Sequence, residues 1–224
     1  EHNRIGAVGR PLPGVEVEIA GDGEILTRGP HVFQGYFNKP EETGSVFTSE
    51  DASENGGGPS KRWFKTGDIG HFDADGFLFI TDRKKDLIKT SAGKYVAPQM
   101  IEGLISQSEF IEQAVIVGDK RKYVSALIVP DFERLRAWAQ GQGIAATDKQ
   151  ELIEDKRVFD LIKAEVQRLT RELADHEKVK RVALLPKEFS IDGGELTPTL
   201  KVRRRVVEQK YQDRIESLYA GGPE

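Results

Sequence analysis

The sequence predicts an α+β fold in which a β-rich segment is followed by an α/β domain. In the first segment, apolar and polar residues alternate with period two, as in half-buried strands. Farther along, stretches with helical spacing of apolar residues alternate with short runs of β-branched residues. The charged run Asp82–Asp86 marks the boundary between the two parts. We therefore predict a β-rich part at residues 1–82 and an α/β domain at residues 83–224.

Three strands are predicted in the β-rich part. Val15–Ile19 and Glu24–Arg28 alternate apolar and polar residues. Phe77–Ile80 follows Asp73–Gly76, a sequence typical of a tight turn. Residues 48–61 contain Ser, Glu, Asn and three consecutive glycines without an apolar anchor, so they are predicted to form a mobile loop.

Helices and strands are both predicted in the α/β domain. Pro98 suits the first turn of a helix, and Asp131 suits the N-cap of another. A long amphipathic helix is predicted from Lys149 to about Ala174, and a last one from about Arg203 to Leu218. The complete set comprises strands at residues 114–117, 124–129 and 182–186, and helices at residues 99–106, after Asp131, at 149–174 and at 203–218.

Composition excludes several classes of site. The 224 residues include no cysteine, which excludes disulfides, thiol nucleophiles and thiolate metal sites. The net charge of −4 gives no general attraction to nucleic acid. No apolar run approaches the roughly 18 residues of a membrane span. The four histidines lack metal-ligand spacing, so no metal site built by protein side chains is predicted.

A single lysine stands out in the segment Gly194–Arg204. Pro198 has no backbone donor and a fixed φ, so this segment reads as a turn or exposed loop. Lys201 would then be a compact, long-reaching positive charge, suited to a phosphate or a carboxylate. On this segment alone, a solvated lysine is the plainer interpretation.

A second group of motifs lies more than a hundred residues earlier, in Trp63–Gly70, Ile80–Lys89 and Gly93–Pro98. Asp68 follows a glycine in a predicted Thr-Gly-Asp turn, where its carboxylate could accept two hydrogen bonds from a vicinal diol. A purely structural turn aspartate is the alternative. Arg83 could present its planar guanidinium to a ribose or a phosphate.

Together and in this order, these segments resemble the adenylate-forming ligase family, which includes acyl-CoA synthetases, luciferases and the adenylation domains of peptide synthetases. The resemblance covers essentially the whole chain from Gly6 to about Arg205. It implies that ATP activates a carboxylic acid to an acyl-adenylate, which is then transferred to the thiol of coenzyme A. ATP/AMP, Mg²⁺ and coenzyme A are the implied cofactors. It also implies that the β-rich part is the distorted-barrel portion of a large N-terminal domain, followed by a small mobile lid domain.

The resemblance implies roles for individual residues near the domain boundary. Asp68 corresponds to the ligand of the AMP ribose hydroxyls, with Thr66 as a helper, and Arg83 to a further nucleotide contact. Lys85 corresponds to the hinge whose torsions change as the lid domain rotates between the two half-reactions.

Further roles are implied within the α/β domain. Gly93 lies in a short flexible loop that leaves room for the pantetheine arm of coenzyme A, and Lys94 is a candidate contact for its nucleotide. Solvated charge is an equally good interpretation of Lys94. Lys201 corresponds to the adenylation lysine, which bridges the carboxylate and the α-phosphate.

The motif around Lys201 narrows the resemblance. Many family members carry Pro-Lys-Thr-x-Ser-Gly-Lys here, whereas this chain has Glu195–Lys201 as Glu-Leu-Thr-Pro-Thr-Leu-Lys. Together with Ala92–Pro98, this variant is most similar to the long-chain fatty acid–CoA ligase branch. The implied partners are a fatty acid and coenzyme A as substrates, with no nucleic acid.

The chain is expected to be the C-terminal fragment of such a ligase. It begins at Glu1 in a turn-rich β pattern, without the phosphate loop and acyl pocket that precede this pattern in the family, so the fragment is expected to be inactive without the N-terminal domain. The alternatives are a ligase for a medium-chain or aryl acid, and a non-catalytic binding or regulatory module that keeps the fold. A cytoplasmic location is expected, with peripheral membrane association of the full-length enzyme left open.

Overall fold

The computed structural model describes residues 3–48, 62–146 and 148–220. The chain forms two compact units, Glu1–Asp86 and Leu87–Glu224, which divide at the end of the charged run. The expected mixed fold is confirmed, with a curled antiparallel sheet in the first unit and a helix-covered sheet in the second. Most of the segment predicted as a mobile loop, residues 49–61, lies outside the described residues.

The first unit is built on a four-stranded antiparallel sheet in the order β1-β2-β3-β4. Its strands are β1 Glu16–Ile19, β2 Glu24–Arg28, β3 Phe64–Phe72 and β4 Leu78–Arg83. Helix α1, Pro40–Ser45, precedes β3, and one turn of 3₁₀ helix, Lys84–Asp86, follows β4. The three predicted strands are confirmed, whereas β3 was not predicted because its centre resembles a turn.

Atoms of both neighbouring strands, β2 and β4, lie close to Gly70 of β3. A Cβ added to this residue would lie 2.3 Å from the backbone oxygen of Phe79 and 2.8 Å from Cδ1 of Ile25. Real Cβ atoms do not come so near to backbone oxygen, so the sheet accepts only glycine here without rearrangement.

We therefore expect Gly70→Ala to lower the free energy of unfolding by about 1–3 kcal/mol, as other overpacking substitutions do. Chemical denaturation of the 224-residue chain measures the effect. Gly44→Ala is the matched control, because a Cβ on Gly44 in α1 meets nothing within 4 Å. Equal stability of the two variants would contradict the close approach at Gly70.

The second unit is built on a three-stranded sheet in the order β7-β8-β9. Strands β7 and β8 are antiparallel, and β9 runs parallel to β8. The residues of β8 are all buried, with helices α2 and α5 among the elements that supply the surrounding core. The elements in chain order are β5 Ile88–Lys89, β6 Tyr95–Val96, α2 Pro98–Ile105, β7 Ile111–Val117, β8 Ser125–Pro130, α3 Phe132–Gly141, α4 Lys149–Glu154, α5 Lys156–Leu169, β9 Arg181–Leu184, α6 Arg204–Lys210 and α7 Gln212–Tyr219.

The helix starts that were predicted from single residues are confirmed. Pro98 occupies the first turn of α2. Asp131 is the N-cap of α3, where its Oδ1 accepts hydrogen bonds from the backbone N–H groups of Glu133 and Arg134 at 3.0 Å each. Within the described residues, no helix is both long and apolar enough to cross a bilayer.

The prediction of two long continuous helices in this unit is wrong, because each is divided into two shorter helices. The first is divided at Asp155, whose backbone is extended and whose side chain accepts a hydrogen bond from the N–H of Arg157. This local bond competes with helical continuation and starts α5 afresh. The second is divided at Tyr211, where α6 ends and α7 begins. The ring of Tyr211 packs edge-on against Phe189.

Candidate functional site

The three residues predicted to bind the nucleotide lie together in the first unit. Thr66 and Asp68 belong to β3, and Arg83 ends β4 directly opposite Asp68. The guanidinium Nε of Arg83 lies 2.7 Å from Oδ1 of Asp68 and forms an ion pair with its carboxylate. The pair is partly exposed, with 54% of the Arg83 side chain and 24% of the Asp68 side chain accessible. Both groups can therefore reach a ligand from one point on the sheet.

The backbone around Asp68 is a bulge within a strand, so the predicted Thr-Gly-Asp turn is wrong. Lys65 pairs with Leu26 and Ile69 with Glu24, which leaves residues 66–68 opposite Ile25 alone. Gly67 has φ +73°, a left-handed conformation that glycine adopts at little cost. Bulges of this kind bend a strand and redirect its side chains, and they occur often beside active sites.

Thr66 holds the bulge together. Its hydroxyl donates to the carbonyl oxygen of Ile25 at 2.7 Å and accepts a hydrogen bond from the N–H of Asp68 at 3.0 Å. The hydroxyl proton is thus used inside the sheet. The geometry gives Thr66 a direct part in orienting Asp68.

Glu24 is a residue that the sequence did not single out. Alternation along residues 24–28 predicts an exposed glutamate, but Glu24, Ile25 and Leu26 are all buried. The carboxylate of Glu24 accepts a hydrogen bond from the N–H of Gly67 at 3.1 Å and pairs with Nζ of Lys84 at 2.7 Å. It therefore connects the bulge to the turn that contains the predicted hinge. No local pattern reveals this role.

The predicted hinge residue Lys85 is exposed in the 3₁₀ turn Lys84–Asp86. Its neighbour Lys84 is fixed by two carboxylates, those of Asp22 and Glu24, each 2.7 Å from Nζ. Hydrogen bonds to Asp22 and Glu24 raise the pKa of Lys84, and the same ammonium lowers the pKa of Asp22. The residue before the predicted hinge is therefore held in place as a cation.

The two residues predicted to bind coenzyme A lie in the hairpin turn between β5 and β6. Gly93 has φ +77°, and its N–H donates to the carbonyl oxygen of Thr90 at 2.9 Å. The N–H of Thr90 in turn donates to the carbonyl oxygen of Lys94 at 2.9 Å. A Cβ on Gly93 would meet nothing within 4 Å, so the turn is open on that side. The segment expected to be a flexible loop is a hydrogen-bonded hairpin.

This hairpin is attached to the loop that follows β7. The N–H of Ser91 donates to the carbonyl oxygen of Arg121, and that of Lys120 donates to the carbonyl oxygen of Lys89, each at 2.8 Å. The N–H of Lys89 donates to Oδ1 of Asp119 at 3.2 Å. The hairpin is thus bonded to the loop between β7 and β8.

Lys201 lies on a small closed loop of the second unit. Leu196 and Val202 form an isolated antiparallel bridge at its base. Above it, the N–H of Thr197 donates to the carbonyl oxygen of Lys201 at 2.8 Å, and the N–H of Lys201 donates to the Thr197 hydroxyl at 3.0 Å. Leu200 completes the turn with φ +60°.

The side chain of Lys201 projects from this loop without a partner among the described residues. Lys201, Pro198 and Thr199 are exposed, and none of the carboxylates in the described ranges forms an ion pair with its ammonium. An uncommitted positive charge on a rigid turn is suited to an incoming anion.

The start of the same segment is not exposed, which corrects the prediction of an exposed loop at Glu195. Glu195 and Leu196 are buried, and the Glu195 carboxylate pairs with Lys210 of α6. Burial raises the pKa of Glu195, but the hydrogen bond from Lys210 and those from the backbone outweigh it and lower the pKa. On the other side of the loop, Arg204 donates to Oε1 of Glu102 at 2.8 Å and to the carbonyl oxygen of Ile116. Glu195 and Arg204 are also residues that the sequence did not single out.

A family model and two curated proteins match this chain over most of its length. The model of the family described as AMP-binding enzyme C-terminal domain matches residues 85–222. A long-chain-fatty-acid–CoA ligase of Mycobacterium tuberculosis is 40% identical over 217 residues, which make up 96% of this chain and 34% of that protein. The human long-chain-fatty-acid–CoA ligase 1 is 36% identical over an alignment of 229 positions, which covers 96% of this chain and 31% of that protein.

Solved structures agree in fold. The A domain of a carboxylic acid reductase from Segniliparus rugosus, determined with AMP and a co-purified carboxylic acid, matches with a TM-score of 0.67 at 23% identity. The match covers 94% of this chain and 32% of that one. The chain thus spans about a third of the length of the curated relatives described above.

Proposed function

The chain belongs to the AMP-binding enzyme family through its C-terminal domain, and on that premise we propose that it is the C-terminal part of an ATP-dependent, AMP-forming long-chain fatty acid–CoA ligase. In the first half-reaction, a fatty acid and ATP give an acyl-adenylate and pyrophosphate. In the second, the acyl-adenylate and coenzyme A give acyl-CoA and AMP. Relatives that carry the name of this activity are 40% and 36% identical over almost the whole chain.

One observation carries the proposal most directly, the exposed ammonium of Lys201 on a closed, hydrogen-bonded loop. An ionised carboxylate is already a nucleophile, so adenylation needs no general base. It needs a positive charge where negative charge accumulates, at the transferring α-phosphate. Lys201 supplies such a charge, and the turn between Thr197 and Lys201 limits the directions in which it can point.

The bulge of β3 supplies the complementary part of the proposal, recognition of the nucleotide. The ion pair with Arg83 involves only Oδ1 of Asp68, and a carboxylate can accept hydrogen bonds from the two ribose hydroxyls. Arg83 orients that carboxylate and offers further N–H donors to a ribose or phosphate oxygen. Mg²⁺ enters this proposal with ATP, as the counter-ion of its phosphates.

The hairpin between β5 and β6 would bind coenzyme A in the second half-reaction. Gly93 leaves open space beside the backbone, where the pantetheine arm of coenzyme A would pass, and Lys94 would face its anionic nucleotide. Lys85 is the hinge about which the lid domain would turn between the half-reactions. These assignments follow from the family motifs that the chain retains.

The proposal predicts that the complete protein catalyses acid-dependent exchange between ATP and pyrophosphate. Fatty acids of 8 to 18 carbons, spanning roughly 10–20 Å when extended, and benzoate as an aryl acid form the test panel. We expect the highest rate with the longer fatty acids and none with the 224-residue chain alone, because this chain spans only about a third of the length of the relatives that are named for this activity.

The outcomes separate the rival functions. Preference for octanoate or benzoate would replace the long-chain assignment with a medium-chain or aryl acid ligase. No exchange with any acid, in a complete protein that binds ATP, would favour a non-catalytic module. Exchange catalysed by the isolated chain would refute its expected inactivity.

A further inference from the structure

Glu195 is a charged residue without solvent access, six positions before Lys201. Its side chain has 0% exposure, whereas that of its partner Lys210 is 40% exposed. Removing a carboxylate from water costs several kcal/mol even when it is paired, and an apolar residue of similar size would often give equal or greater stability. Stability alone therefore does not account for a carboxylate at this position.

The contacts of this carboxylate join three segments. Lys210 of α6 donates to Oε1 at 2.5 Å. The backbone N–H of Ser190, in the segment after β9, donates to Oε2 at 3.4 Å. Nζ of Lys210 also donates to the carbonyl oxygen of Gly193 at 3.4 Å. A single buried charge thus connects the approach to the loop, the loop itself and the helix that follows it.

The backbone of Glu195 fixes the base of the loop as well. Its carbonyl oxygen accepts the N–H of Arg203 at 2.7 Å, and the next residue, Leu196, donates to the carbonyl oxygen of Ser190 at 3.1 Å. Leu196 then pairs with Val202, next to Lys201. The side chain and backbone of Glu195 therefore set where the loop leaves the core and at what angle.

We propose that Glu195 is a positioning residue for adenylation, which acts through its ion pair with Lys210 to orient the Lys201 loop. This inference rests on the proposed function, because it assigns to Lys201 the contact with the α-phosphate. Glu195 itself touches neither substrate. Its effect is confined to the half-reaction in which Lys201 takes part.

The test uses Glu195→Gln in the complete ligase, with single-turnover rates of both half-reactions. The amide has the size of the carboxylate but lacks its charge, so the loop loses its electrostatic tie to α6. We expect acyl-adenylate formation to slow about ten- to a hundredfold, the usual effect of a small misplacement of a catalytic group. The loss is expected in kcat, with the KM for ATP unchanged. Thioester formation from supplied acyl-adenylate should stay within about twofold.

Two variants of Lys210 test the same ion pair from its other partner. Lys210→Met removes the pairing charge and is expected to reproduce the slow adenylation, whereas Lys210→Arg keeps a donor and a charge and should stay near the wild-type rate. Because both substitutions break one pair, the double variant Glu195→Gln/Lys210→Met should be no slower than the worse single variant. Additive losses would overturn the proposal, because they mean independent roles.

Gly193→Ala perturbs the same carboxylate without changing any charge, which keeps the inference testable if Glu195→Gln does not fold. A Cβ at this position would lie 2.0 Å from Oε2 of Glu195 and force the carboxylate to move. We expect the same selective loss of adenylation. Gly141→Ala, at the end of α3, is the matched control, because a Cβ there meets nothing within 4 Å.

The outcomes distinguish failure of this inference from failure of the proposed function. If the wild-type protein forms no acyl-adenylate from any acid, the proposed function fails and the inference fails with it. If the wild-type protein is active and needs Lys201, but Glu195→Gln adenylates at the wild-type rate, the positioning role alone is wrong. Equal losses in both half-reactions would make Glu195 a structural residue only.

Discussion

Lys201→Ala in the complete ligase is expected to slow acyl-adenylate formation by about a hundredfold or more. The lost contact is that of one positive charge with a developing anion in the transition state, which typically contributes about 3 kcal/mol. Thioester formation from supplied acyl-adenylate is expected to persist, because the proposed rotation of the lid domain carries Lys201 away from the site before that step. Single-turnover kinetics of each half-reaction measures the two effects.

The control for this variant is Lys187→Ala, which removes another exposed lysine of the same unit. It should leave both rates unchanged. Equal losses of Lys201→Ala in the two half-reactions would show that this lysine does not act in adenylation alone. The assignment of the Lys201 loop to adenylation and of the Gly93 hairpin to thioester formation would then be wrong.

Lys85→Pro is expected to have the opposite effect. Proline fixes φ near −65°, which is compatible with the 3₁₀ turn at Lys84–Asp86 but prevents the torsion from changing. Since a hinge must adopt two torsional states, one of the half-reactions is blocked. We expect adenylation to continue and thioester formation to fail.

Lys85→Ala is the matched variant, because it removes the side chain but leaves φ free. It should support both half-reactions at nearly the wild-type rates. A loss of thioester formation in both variants would assign the effect to the lysine side chain instead of the backbone, and would contradict the hinge. The same single-turnover measurements apply, with the acyl-adenylate supplied for the second step.

The fold class could be predicted because it depends on local patterns. The alternation of apolar and polar residues predicted β1. The starts of α2 and α3 were predicted from two residues that strongly prefer the beginning of a helix, Pro98 and Asp131. The helix breaks were missed for the opposite reason. At Asp155 and Tyr211 the apolar spacing continues across the break, and the side chain that ends or restarts the helix is visible only through its contacts.

The candidate site was predicted only as far as the groups that reach solvent. Asp68, Arg83 and Lys201 belong to motifs that the family resemblance made recognisable. Glu24 and Glu195 could not be found in this way, because a buried carboxylate is identified by its partner, and those partners lie far along the chain. Lys84 is 60 positions from Glu24, and Lys210 is 15 positions from Glu195. Local sequence patterns carry no information about such pairings.

Both loops proposed to act in successive steps are anchored within the second unit. The Gly93 hairpin is bonded to residues 119–121, and the base of the Lys201 loop is held by the bridge between Leu196 and Val202 and by the ion pair between Glu195 and Lys210. On the proposed function, two loops held in this way would exchange places at one reaction centre through rotation of the unit that carries both. The order of the two chemical steps would then follow from the orientation of that unit.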